Sequence, residues 1–174
     1  MKAFLRFLVR AIALRVLRVS ATYSPSKLAL LHGGGVIVCA NHVSLLDGVI
    51  IALASPSPLV FGVDTAFSRR SWVASQGMAL LAALGFGSVV PIDAGSPYGI
   101  RTLHRALRRG QSVMVFPEGR ISDTGRSLPE MPGVGWLVDR TKAQVVQVTI
   151  RGAEKSFLFA KSGRAIWPRI EIVF

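Results

Sequence analysis

Short apolar runs rich in Val and Ile recur along the chain at residues 36–40, 59–63, 88–92, 112–116, 145–150 and 169–174. Each has the length of a strand, and several are nearly unbroken in apolar residues, as a strand covered on both faces should be. Between them, apolar positions recur at helical spacing over 45–54, 67–84, 98–109 and 134–141. Such alternation predicts an α/β fold, with a mixed, partly parallel sheet of about six or seven strands flanked by helices. The stretch 71–92 holds no charged residue, but Gly77, Gly85, Gly87 and Pro91 interrupt it. A helix over 72–84 followed by a buried strand at 88–92 accounts for it more simply than a spanning helix does. The sequence stops inside the last strand pattern, which fits a fragment of something longer.

The first nineteen residues carry a different pattern. Lys2, Arg6 and Arg10 fall on one helical stripe, and Arg15 and Arg18 widen it. Phe4, Leu5, Phe7, Leu8, Val9, Ile12, Leu14 and Leu17 lie between them. Charges interrupt this segment too often for the ~20 apolar residues a bilayer span requires. A signal peptide would keep its charge ahead of one unbroken apolar stretch. The expectation is an interfacial amphipathic helix over 1–19, apolar side in the acyl boundary and arginine side on lipid phosphates. Residues 20–174 would then form the main domain. The alternative is an ordinary amphipathic helix lying on its own domain.

Composition sharpens this picture. Twenty-one Lys and Arg stand against nine Asp and Glu in 174 residues, a net charge of +12, with 51% hydrophobic residues. A surplus that large implies an anionic partner. An apolar, basic chain with few aromatics favours an anionic membrane surface and argues against nucleic acid. The single cysteine, Cys39, excludes an intrachain disulfide framework, and its apolar strand makes it a poor nucleophile.

In open α/β sheets, function gathers in loops after the carboxyl ends of strands. Two such loops are chemically loaded: Asn41-His42-Val43-Ser44-Leu45-Leu46-Asp47 and Phe116-Pro117-Glu118-Gly119-Arg120. Histidine titrates near neutrality and serves as a general base when a carboxylate fixes its tautomer. Five residues apart, His42 at a strand end and Asp47 in a helix's opening turn can fold together, with Ser44 capping that helix. The bland reading makes Asp47 a turn cap and His42 a satisfied polar residue. In the second loop, Pro117 stops the ladder, Gly119 permits unusual backbone angles, and Arg120 offers a planar fork for phosphate. Glu118 would accept from a substrate hydroxyl or hold Arg120, the bland reading being a surface turn with a local ion pair. Metal-ligand spacing and glycine-rich nucleotide fingerprints are absent, and Gly33-Gly34-Gly35 reads as a turn. Together the loops describe a site that activates a hydroxyl carried by a phosphate-bearing molecule, for direct attack by that alcohol.

These paired motifs resemble the glycerolipid acyltransferase family, typified by 1-acylglycerol-3-phosphate acyltransferases. The wording of 41–48 and 118–125 is most similar to the acyltransferase half of the bifunctional 2-acylglycerophosphoethanolamine acyltransferase/acyl-carrier-protein synthetase. The resemblance implies transfer of a fatty acyl group from a thioester to the free hydroxyl of a lysophospholipid. Acyl-coenzyme A or acyl carrier protein would be the co-substrate, with no cofactor. Lysophosphatidylethanolamine is the first expected acceptor and lysophosphatidic acid the second. It implies that His42 deprotonates the hydroxyl, that Asp47 orients His42, and that Asn41, Glu118, Gly119 and Arg120 bind substrate. The family's Asp/Glu-Arg pair is matched here by Asp93-Ala94, so its arginine is missing, and Arg101 is the expected substitute. The family's proline in the later strand is replaced by Gln147. The resemblance also implies a peripheral protein on the cytoplasmic face of the cell membrane. Backbone amides near His42 or the start of the next helix are the expected oxyanion donors, and residues 67–84 are the expected wall of an acyl groove.

Overall fold

The Val/Ile-rich runs become strands because their side chains find cover on both sheet faces. The computed structural model describes residues 2–64, 72–92 and 98–174. In chain order these form α1 (Lys2–Val16), β1 (Val19–Thr22), α2 (Pro25–Gly33), β2 (Ile37–Ala40), α3 (Asp47–Ala54) and β3 (Leu59–Asp64). There follow α4 (Trp72–Ala83), β4 (Gly87–Ile92), α5 (Tyr98–Arg108), β5 (Val113–Val115), α6 (Gly133–Thr141), β6 (Val145–Arg151) and β7 (Ile170–Val173). The strands form one seven-stranded sheet in the order β1-β7-β6-β2-β5-β3-β4. Neighbours are parallel except β6 and β7, which run antiparallel. The mixed α/β sheet expected from the pattern is therefore present.

β2 lies at the centre, with Ile37 opposite Val113 of β5 on one side and Val145 of β6 on the other. Its side chains alternate between two cores. Ile37 and Cys39 join Val60, Leu103, Leu107 and Leu137 beneath α5 and α6. Val38 and Ala40 join Ile50, Ile51, Leu53 and Val148 on the α3 side. Burial on both faces is why β2 reads as a continuous apolar run. β6, in contrast, alternates buried and exposed residues along its length.

Two elements escape the apolar pattern. β1 has the sequence Val-Ser-Ala-Thr and pairs only with β7, at the sheet edge, where half its side chains are exposed. Its periodicity is too short and too polar to register. α2 carries end signals rather than a strong stripe: Ser24 accepts from the Lys27 amide, Pro25 starts the helix, and Gly34 at φ 76° ends it. A side chain at Gly34 would meet the Gly110 carbonyl at 2.7 Å, so the turn expected of 33–35 is real and demands glycine. α4 occupies much of the expected 67–84 helix, while 67–71 lie outside the described residues.

α1 is turned differently from the expectation. Val9, Ala13 and Leu14 pack on the core, while Phe4, Leu5, Phe7, Leu8, Ile12 and Val16 are exposed. Arg6 donates to the Gly85 carbonyl at 3.1 Å, and Arg10 donates to the Ser55 carbonyl. These carbonyls close the carboxyl ends of α4 and α3, where a cation meets the negative end of the helix dipole. Both arginines therefore point at the protein's own loops, and the helix shows its apolar residues outward. Among the described residues no helix is long and apolar enough to cross a membrane.

Candidate active site

β2 and β5 are adjacent and parallel, so their carboxyl ends deliver the two loaded loops to one edge of the sheet. β2 stops pairing at Ala40, and the Asn41 carboxamide takes over. Its Nδ2 donates to the Ile150 carbonyl at 2.9 Å and its Oδ1 accepts from the Ile150 amide at 2.8 Å. Asn41, expected in substrate binding, thus works as an anchor that lets the next residue leave the sheet.

That residue is His42. The chain doubles back through 43–46, and Asp47 opens α3 with its side chain fully buried. The ring Nδ1 lies 2.9 Å from Asp47 Oδ2, which also accepts from the amides of Val43 at 2.6 Å and Ser44 at 2.8 Å. With Nδ1–H donated to the carboxylate, Nε2 carries the basic lone pair. The imidazole is 13% exposed. Its other wall is the Phe116 ring, stacked at 4.0 Å and 13° from parallel. Burial pushes the Asp47 carboxyl above its ordinary value, opposed by His42 and by the Ser44 and Val43 amides. Asp47 Oδ1 is buried and accepts no hydrogen bond among the described residues.

One expectation is corrected here and another narrowed. Ser44 does not cap α3: the cap position is Leu46, and Ser44 Oγ accepts from the Leu46 amide at 3.1 Å within the turn. The amides of 43–47 are all engaged, so of the expected oxyanion donors only those at the start of α3 beyond Asp47 are left. The amides of Val43 and Ser44 serve Asp47, Leu45 donates to the Phe159 carbonyl, Leu46 to Ser44 Oγ, and Asp47 to the Ser44 carbonyl. Donors for a developing oxyanion must come from outside 43–47.

The second loop is tied directly to the first, because the Ser122 amide donates to the His42 carbonyl at 2.8 Å. Gly119 sits at φ 67°, and a side chain there would meet Met131 Sδ at 2.5 Å. Glu118 is 7% exposed, and its buried Oε2 has no hydrogen-bond partner among the described residues. Arg120 is exposed, and no ion pair joins it to Glu118. The local ion pair of the bland reading is absent among the described residues. A buried carboxyl group and an open guanidinium instead lie in the loop tied to the His42–Asp47 pair. Arg101 lies exposed in the first turn of α5, after edge strand β4. β4 is two positions from β5, or about 10 Å at the usual spacing, so Arg101 lies at the site's margin. Asp93 and Ala94, which match the family's arginine-bearing pair, lie outside the described residues, as does part of the expected groove wall at 67–71.

A third segment was missed by the sequence reading. Residues 153–163 follow β6, and the Phe159 carbonyl accepts from the Leu45 amide at 2.8 Å and from Ser44 Oγ at 3.2 Å. Lys161 donates to Asp123 at 2.5 Å, and its hydrogen bond and charge hold that carboxyl below the ordinary range. One segment therefore braces both loaded loops and carries exposed Phe157 and Leu158 beside them. Only the sheet order, with β6 next to β2, brings it there. Cys39 has no such role: burial pushes its thiol up to about 12.

Comparison with known proteins agrees with this geometry. The family profile described as Acyltransferase matches residues 18–151. The 1-acyl-sn-glycerol-3-phosphate acyltransferases of Neisseria gonorrhoeae and Neisseria meningitidis serogroup B are each 32% identical to it over 124 residues, 69% of this chain. That match covers 45% of each relative, so the chain spans less than half their length. The crystal structure of the 1-acyl-sn-glycerophosphate acyltransferase of Thermotoga maritima superposes with a TM-score of 0.65 at 17% identity. It covers 99% of this chain and 68% of that one, a likeness of fold.

Proposed function

The chain belongs to the acyltransferase family, and on that premise we propose that it transfers a fatty acyl group from a thioester to the hydroxyl of a lysophospholipid. The observation that carries this reading is the His42–Asp47 pair at 2.9 Å, joined through the Ser122 amide to the loop of Glu118 and Arg120. His42 Nε2 takes the proton as the acceptor oxygen attacks the thioester carbonyl carbon. The carbon–sulfur bond then breaks, and the imidazolium returns the proton to the departing thiolate. Asp47 holds the tautomer and stabilises the imidazolium, a base contribution of about 10²–10⁴-fold. Arg120 grips the acceptor phosphate with its planar fork. Glu118 Oε2 accepts from a hydroxyl of the acceptor or draws Arg120 inward when substrate binds.

Lysophosphatidic acid is the favoured acceptor, supported by the names of the Neisseria relatives. Lysophosphatidylethanolamine, favoured by the wording of the two motifs, ranks second. Acyl-coenzyme A and acyl carrier protein remain the two candidate donors, since a net charge of +12 suits either anionic carrier. The exposed Phe4, Phe7, Leu8 and Ile12 of α1 support peripheral docking on an anionic membrane, at the cytoplasmic face of the cell membrane. The test is a panel of lysophospholipids against both donors, with thiol release and product mass as readouts. Turnover highest on lysophosphatidic acid and lost in His42→Ala supports the proposal. Equal thiol release by wild type and His42→Ala refutes it and leaves a non-catalytic lipid-binding module.

A further inference from the structure

A cavity of about 210 Å³ opens between α1 and the loops that lead into β3 and β4, lined by Arg6, Phe7, Arg10, Ser55, Pro58 and Phe86. These loops lie at the amino ends of the parallel strands, opposite the edge that carries His42. The eight residues of α3 separate the two places, or about 12 Å of helix. No ligand bound by His42 and Arg120 is required to reach it.

Its chemistry is lopsided. Two guanidiniums face one small space, and no carboxylate pairs with either among the described residues. Arg10 is half-buried, and desolvation lowers its pKa, with Arg6 acting in the same direction and Tyr23 in the opposite one. Each arginine makes one hydrogen bond to a helix-terminal carbonyl, Arg6 to Gly85 and Arg10 to Ser55. A guanidinium has five donors in a fixed fork, so the carbonyls use a small share. A half-buried guanidinium with a second cation beside it is costly without an anion. A tetrahedral oxyanion takes several fork donors at once and neutralises both charges. The volume is far above what one water requires. Phe7 gives one wall an exposed apolar face, suited to the carbon side of an ester.

We propose that this cavity is a second anion site, distinct from the catalytic edge, that binds a phosphate group between Arg6 and Arg10. The phosphate comes either from the headgroup of a membrane phospholipid or from a soluble phosphate. The site stands independently of the acyl-transfer reading, because neither arginine belongs to the catalytic loops.

The test uses the full chain with inorganic phosphate as probe, followed by thermal shift and calorimetry. Wild type should bind phosphate with a rise in Tm. Arg10→Gln and Arg6→Gln should each weaken binding at least tenfold. Ser57→Asp brings a carboxylate to the rim, so it should raise Tm without phosphate and abolish the further rise. Near-ultraviolet circular dichroism checks that each variant is folded, and Ser57→Asp keeps the test decisive should Arg10→Gln fold poorly. A second arm measures partition onto phosphatidylglycerol vesicles. Competition by inorganic phosphate, lost in Arg6→Gln, identifies the lipid headgroup as the source. Partition indifferent to phosphate identifies the soluble one. Phosphate affinity equal in wild type, Arg6→Gln and Ser57→Asp overturns the proposal, as does a wild type that binds no phosphate and whose vesicle partition ignores all three substitutions.

Discussion

Asp47→Asn isolates what the buried carboxylate does for His42. One oxygen, Oδ2, accepts from the ring and from two amides, while Oδ1 accepts nothing among the described residues. The asparagine carbonyl therefore takes the Oδ2 place, because an NH₂ there would face two amide donors. The ring keeps its Nδ1–H tautomer and loses only the negative charge beside it. Two unit charges about 4 Å apart at an effective dielectric near 20 interact by about 4 kcal/mol. At 1.36 kcal/mol per decade, the expected loss in kcat is about 10³-fold. Asp47→Ala removes tautomer control as well and should lose more, towards about 10⁴-fold. Thiol release from an acyl thioester, with saturating lysophospholipid, reads both. Stability provides an independent check. Burial raises the Asp47 carboxyl, so the folded state holds its proton more tightly than the unfolded chain. Wild-type stability should then fall as pH rises from the unfolded carboxyl value through the folded one, and level off above it. The asparagine variant lacks this loss, so its Tm advantage should grow over the same rise. Turnover of Asp47→Asn within threefold of wild type would refute the electrostatic role of the carboxylate.

Other outcomes follow from the same geometry. His42→Ala should lower turnover by at least about 10²-fold and also lower Tm, since it leaves the buried Asp47 carboxyl without its ring partner; kinetics and calorimetry check this. Arg120→Ala should raise KM for the acceptor more than it lowers kcat, and a KM unchanged across phosphate-bearing acceptors would make the guanidinium structural. Gly119→Ala forces a left-handed angle on a residue with a side chain and should cost about 1–2 kcal/mol in chemical denaturation. Replacing exposed Phe4 and Phe7 by Ser should reduce vesicle partition about tenfold or more at unchanged Tm, given about 1.5–3 kcal/mol per buried phenylalanine. Point changes suit this last test better than trimming residues 1–19, which would uncover the core beneath Leu14 and remove Val19 from β1.

Much of the sheet was legible because β2, β5 and the first half of β3 are buried on both faces and so are written in apolar residues almost throughout. β1 was not, because an edge strand of four residues with two hydroxyls has no distinctive period. The His42–Asp47 pair was legible because both partners lie on one short turn. The Phe159 brace was hidden, since it depends on backbone carbonyls and on β6 neighbouring β2, and neither leaves a mark on residue types. The arginines of α1 were visible as a stripe, but their direction was set by carbonyls at the ends of α3 and α4, which no periodicity records. Asn41 looked like a ligand for substrate because a polar residue at a strand end fits either role.

The Asn41 anchor makes the position of the His42 ring answer to a strand that lends it no side chain. A carboxamide that gives to the carbonyl and receives from the amide of one residue, Ile150, acts as a false backbone rung. Aspartate would set oxygen against the Ile150 carbonyl, and glutamine would overshoot by a methylene. Proline at 150 would delete the donor half of the pair and leave the ring free to drift. Substitution of Asn41 should therefore lower the rate, although its carboxamide is spent on the backbone of Ile150 rather than on substrate.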